Sequence, residues 1–273
     1  MSRIESRFAA LRAEGRAALI PFVEAFDPDG ATSAALLAGM PAAGADLIEI
    51  GMPFTDPMAD GPTIQAAGKR ALRAGAKLAK ILGMVRDFRA ADAATPIILM
   101  GYLNPILSYG PARFCADAAA AGVDGLIVVD LPPEEAELLA PHAAAHGLDI
   151  IRLVAPTTDD ARLPLVLQGS SGFIYYVSIT GITGTRTASA EHLAAAIPRI
   201  RRVSRLPIAV GFGVRTPEQA AVVARAADAA VVASALIDTL AAGLDAEGRA
   251  GPGLVGRVLD QVRALADAVR TAR

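Results

Sequence analysis

The chain has 273 residues, 53% of them hydrophobic and 20% charged, with a net charge of −2; this composition supports a sizeable core and gives no electrostatic case for nucleic acid or an anionic membrane. With no Trp and 4% aromatic residues there are few platforms for stacking single strands, and one cysteine, Cys115, excludes an internal disulfide framework. No uncharged run is long enough to span a bilayer, and the opening MSRIESRFAALRAEGR alternates charges with apolar residues where a signal peptide would be continuously apolar, so a soluble, cytoplasmic protein is expected.

That opening stretch reads as an amphipathic helix. Eight short apolar runs follow at fairly even spacing: LIPFV, DLIEI, PIILM, GLIVV, DIIRLV, FIYYV, PIAV and DAAVV. Each is followed by an alanine-rich segment of helical period, the pattern of parallel strands joined by helical crossovers and covered on both faces. Eight units in a chain close to the usual length of about 250 residues predict a closed (β/α)₈ TIM barrel. No Pro/Gly/Ser-rich linker divides it, so residues 1–273 are expected to form a single domain. Leu254, Val258, Leu259, Val262, Leu265 and Val269 make the stripe of a final helix. Both terminal helices are expected to pack outside the barrel.

Such barrels carry their active sites where the strands end, so the residues after each predicted strand are the candidates. After the first, Glu24 is a charged residue with no evident partner, and it is expected to face solvent. If it turned inward it would approach Glu49 across neighbouring strands and raise a carboxylate pKa. Glu49 shares a strand face with Leu47 and Gly51. Desolvation there suits it to exchanging protons near neutral pH, the alternative being a buried ion pair with Arg152, the only basic residue inside a predicted strand. Asp60, before Gly61 and Pro62, reads on its own more readily as the cap of a helix begun by PTIQ.

The remaining candidates narrow the chemistry. Lys69, Lys77 and Lys80 share one helical region and none ends a strand, so a Schiff-base aldolase lacks its nucleophile. His142 and His146 share a helix face far from His192, and no metal site is expected. Cys115 reads as an inert packing thiol. Carboxylate acid–base chemistry remains, with Tyr102 or Tyr175 as possible helpers. Glycines in GITGTR and GFG, and the AS that opens a helix after the last strand, predict a phosphate site, the alternative being that they only make tight turns. GFGVRT lacks the third glycine of a dinucleotide fingerprint.

Taken together, PFTDPMADGPTIQAAGKRAL, FDP, GYLNPIL, DLPPEE, YVSITGITGTR and VGFGVRTPEQ resemble the tryptophan synthase α subunit family along essentially the whole chain. The resemblance implies a TIM barrel that cleaves indole-3-glycerol phosphate to indole and glyceraldehyde 3-phosphate by a retro-aldol reaction without cofactor. It implies Glu49 as general acid and base and Asp60 as the holder of the indole N–H. It implies Phe22, Ile64, Met100, Ile127, Tyr175, Thr183 and Phe212 around the substrate, and Gly184, Gly213, Ala233 and Ser234 around its phosphate. A β subunit carrying pyridoxal phosphate would complete an α2β2 heterotetramer and receive indole through a tunnel, with Asp56 on the shared face. Two departures stand out: Glu24 and Phe26 replace the family's usual threonine and glycine, and Ala233 replaces a glycine whose absence could crowd the phosphate. Two other readings stay open at this point, a different sugar-phosphate barrel enzyme and a catalytically weak subunit that activates its partner.

Overall fold

The computed structural model describes residues 1–177, 190–211 and 213–273. All eight apolar runs become barrel strands, because each is buried on both faces: β1 (Ala18–Glu24), β2 (Ile48–Gly51), β3 (Ile97–Gly101), β4 (Gly125–Val128), β5 (Asp149–Ile150), β6 (Arg152–Val154), β7 (Ile174–Val177), β8 (Ile208–Gly211) and β9 (Ala229–Val232). The predicted fifth strand is split at Ile151. Its first half pairs with β4 and its second with β7, and the Ile151 N–H donates to the Leu126 carbonyl at 3.0 Å, so one piece of chain joins both sides of the ring. Every pairing between these strands is parallel, in the order β5-β4-β3-β2-β1-β9-β8-β7-β6. This is a TIM barrel.

Alternation along the strands separates two cores. Leu19, Val23, Ile48 and Ile50 face the surrounding helices, whereas Ile20, Leu47, Ile98, Ile127, Tyr175 and Val231 fill the interior. The helix Leu254–Arg270 packs on the outer ring against the helices Gly30–Ala43 and Pro217–Ala226, as expected.

The N-terminal helix Arg3–Ala13 does something else. Its Ile4, Phe8 and Leu11 join the interior cluster beside Ala18, Ala209 and Ala229, and Phe8 lies 5.8 Å from Phe173. Those alanines are small enough to admit the helix's side chains, so it plugs the end of the barrel opposite the strand C-termini and does not join the outer layer. Buried acids hold the plug. Asp124 accepts from Arg3 at 2.8 Å, Arg89 at 2.6 Å and the Ile97 N–H at 2.8 Å; Asp46 pairs with Arg7 and Arg16 and accepts from the Leu19 N–H. An amphipathic period in the sequence marks the helix, but not which hydrophobic surface it will cover.

Candidate functional site

At the other end, parallel register sets which side chains meet. Glu49 pairs across the sheet with Phe22 and Ile98, and Glu24 with Gly51. Glu49 is 1% exposed, and neither carboxylate oxygen has a hydrogen-bond partner among the described residues. Burial alone pushes it up to about 8. The alternative of an ion pair with Arg152 fails on alternation. Ile151 and Leu153 belong to the interior cluster, so Arg152 faces the other way, where it donates to the Leu131 carbonyl at 3.0 Å.

Tyr175 is buried in the same interior, and its ionisation is pushed upward first by burial and then by the nearby charge of Glu49. Its hydroxyl lies against Gly211, where any Cβ would collide with it, so the strand must carry glycine there for the phenol to reach across the barrel. Phe22, Ala67 and Ile237 form a separate apolar cluster against which Ile64, Met100 and Ala233 pack. Ile127, paired with Met100, lies deeper in the interior core. Phe22, Ile64 and Met100 thus share one apolar wall, to which Ile237 and Ala67 are additions, while Ile127 and Tyr175 belong to the interior core. The two additions were hidden in helices whose inward faces the sequence leaves unspecified.

The loop after β2 carries the second acid. Gly61, not Asp60, is the N-cap of the helix Pro62–Arg73, and no side chain caps it. The Asp60 carboxylate is therefore spared for other work. It lines a pocket with Phe22, Glu24, Ile64, Met100 and Tyr102. Burial pushes it up to about 6, opposed by the Tyr102 hydroxyl, which also accepts the Ala59 N–H at 3.0 Å. Farther out on this loop Asp56 is exposed beside Met58, which is 84% exposed.

Two expectations after β1 need correction or explanation. Glu24 does not face solvent: it is 5% exposed and lines the pocket with Asp60. Opposite it, Gly51 has no Cβ, and one placed there would overlap Glu24 Oε2 and come within 2.7 Å of Phe22 Cζ. Burial pushes Glu24 well above the usual carboxylate range, with Asp60 and then Asp27 adding to the shift. The anticipated coupling to Glu49 is replaced by coupling to Asp60. Phe26 has φ 69°, which explains why glycine suits the position; here the ring packs near Gly30 and lies beneath Lys80 Nζ at 5.9 Å.

On the phosphate side, Ser234 opens the helix Ser234–Ala242, and Ala233 precedes it without a side-chain cap bond. Gly213 has φ 80° in the turn after β8. Thr183, Gly184 and Phe212 lie outside the described residues. Cys115 is buried and burial pushes its thiol up to about 11, in keeping with an inert packing role.

Residues 8–262 match the family model described as Tryptophan synthase alpha chain. The tryptophan synthase alpha chain of Acidiphilium cryptum is 76% identical over 273 residues, covering 100% of this chain and 99% of that protein. The alpha chain of Gluconacetobacter diazotrophicus is 71% identical over 273 residues and 100% of both. Among solved structures, tryptophan synthase subunit alpha from Legionella pneumophila str. Paris has a TM-score of 0.90 at 39% identity, over 98% of each chain. The chain therefore belongs to the tryptophan synthase alpha chain family, the carbon–carbon lyase subunit of tryptophan biosynthesis that cleaves indole-3-glycerol phosphate.

Proposed function

We propose that Glu49 is the acid–base group of this cleavage and Asp60 the anchor of the ring nitrogen. The observation that carries this reading is the Glu49 carboxyl, buried in the barrel without a hydrogen-bond partner among the described residues and pushed up to about 8. At neutral pH it is a neutral acid with a proton to give. It protonates indole C3, and the carboxylate left behind takes the proton of the side-chain hydroxyl as the carbon–carbon bond breaks. The products are indole and the aldehyde of glyceraldehyde 3-phosphate, and Glu49 ends as it began. Positive charge passes through the ring during this step, and an anionic Asp60 at the N–H stabilises it.

Phe22, Ile64, Met100, Ile127 and Tyr175 provide the apolar surroundings of the ring, and Thr183 and Phe212 complete them. Gly184, Gly213, Ala233 and Ser234 hold the phosphate, supported by the start of the helix Ser234–Ala242, whose uncapped N–H groups and dipole favour an anion. The chain works as one domain, without a cofactor of its own, in the cytoplasm. Its partner is a β subunit, in an α2β2 complex, reached through the exposed loop that carries Asp56.

The test is release of indole from indole-3-glycerol phosphate by the purified chain, with and without a β subunit. Indole in both arms, faster in the second, is the expected result. Cleavage only with the partner would mark a catalytically weak activator, and none in either arm would overturn the reading.

A further inference from the structure

We propose that Glu24 is a positioning residue of this site: a neutral carboxylic acid that donates a hydrogen bond to the Asp60 carboxylate across the pocket and keeps it anionic and aimed at the ring nitrogen. The inference rests on the role given to Asp60 above.

Its foundation is geometric. Glu24 alternates with Phe22 and Ile20 and so points into the barrel, and its register partner Gly51 leaves the space its carboxyl occupies. It lines the same pocket as Asp60 and is nine-tenths buried. A carboxyl so deeply buried favours its neutral form, whose O–H seeks an acceptor.

The groups around it leave one acceptor. Asp27, in the loop after β1, is committed to Arg70 of the helix Pro62–Arg73 by two bonds of 2.7 and 2.8 Å. Tyr102, after β3, already accepts from Ala59 and faces Asp60. Glu49 lies two residues back along β2, level with Phe22. Asp60, from the loop after β2, is the strongest electrostatic influence on Glu24. Burial raises both carboxyls, and Glu24 is the more deeply buried, 5% exposed where Asp60 is only half-buried at the loop, so Glu24 is the one to keep its proton as donor and Asp60 the acceptor.

The experiment compares wild type, Glu24→Gln and Glu24→Leu by the pH profile of kcat/KM and by ¹³C carboxyl NMR titration of Asp60 in the free protein. Gln keeps a donor and should leave the Asp60 titration in place. Leu removes it, and the acid limb and the Asp60 titration should both rise by about one pH unit, the scale of one hydrogen bond to a carboxylate. A purely structural role would lower kcat/KM without moving the limb, and an unmoved titration in Leu overturns the proposal. A downward move in both variants overturns it too, because it would show Glu24 to be charged. Should Leu fail to fold, Glu24→Ala removes the donor without adding volume and is read the same way. If wild type cleaves no indole-3-glycerol phosphate, the reading of Asp60 fails, while the NMR titration still decides the Glu24–Asp60 bond.

Discussion

In the proposed mechanism Glu49 and Asp60 need opposite protonation states, and their surroundings supply them. Asp60, pushed up to about 6, must be ionised, and Glu49, pushed up to about 8, must be protonated, so kcat/KM should form a bell with limbs near those values. A pH–rate profile checks this, and Asp60→Asn should abolish the acid limb together with most of the activity. Burying Glu49 also has a cost. Its folded pKa lies above the unfolded value, so its contribution is fully present below about 4.5 and is lost as pH rises through about 8. At about 1.4 kcal/mol per unit, Glu49→Gln should match wild type in stability near pH 5 and exceed it by a few kcal/mol near pH 8. Denaturant unfolding at the two pH values measures the difference. Equal gains at both would mean the carboxyl is not neutral in the folded protein.

The elements divide the barrel into a catalytic mouth and a sealed floor. The floor depends on the N-terminal helix, and that helix depends on acids placed just before strands, Asp46 before β2 and Asp124 before β4. Asp124 ties Arg3, Arg89 and the Ile97 N–H together at a buried point, so removing it takes the carboxylate from the buried Arg89 guanidinium and leaves the buried Ile97 N–H without its acceptor. Asp124→Ala should destabilise the fold by about 3–5 kcal/mol in urea or guanidinium titrations. Cleavage per folded molecule should barely change, because the floor and the mouth are opposite ends of the strands. The split after Ile150 shows the limit of reading strands from composition. DIIRLV is apolar enough to be one strand, but its two halves pair with different neighbours, and pairing is a property of the ring.

For the whole molecule, the β/α alternation made the barrel legible, because strands buried on both faces leave continuous apolar runs. Glu49 was legible for the same reason, as a carboxylate interrupting such a run. Glu24 was misread: its burial depends on Gly51 across the sheet, and register cannot be seen in one strand. Ile237 and Ala67 escaped notice because an apolar residue in a helix does not announce which wall it faces. The partner face gives a prediction at this scale. Asp56→Lys on the exposed loop should weaken assembly with the β subunit about tenfold or more in a titration, while indole release by the isolated chain stays close to wild type. Unchanged affinity would place that face elsewhere. The central claim, proton transfer by a buried neutral carboxyl, is tested most directly by single-turnover cleavage of indole-3-glycerol phosphate in Glu49→Gln, checked for folding by circular dichroism. A rate reduced about 10² to 10⁴-fold is predicted, and turnover close to wild type in the folded variant would contradict it.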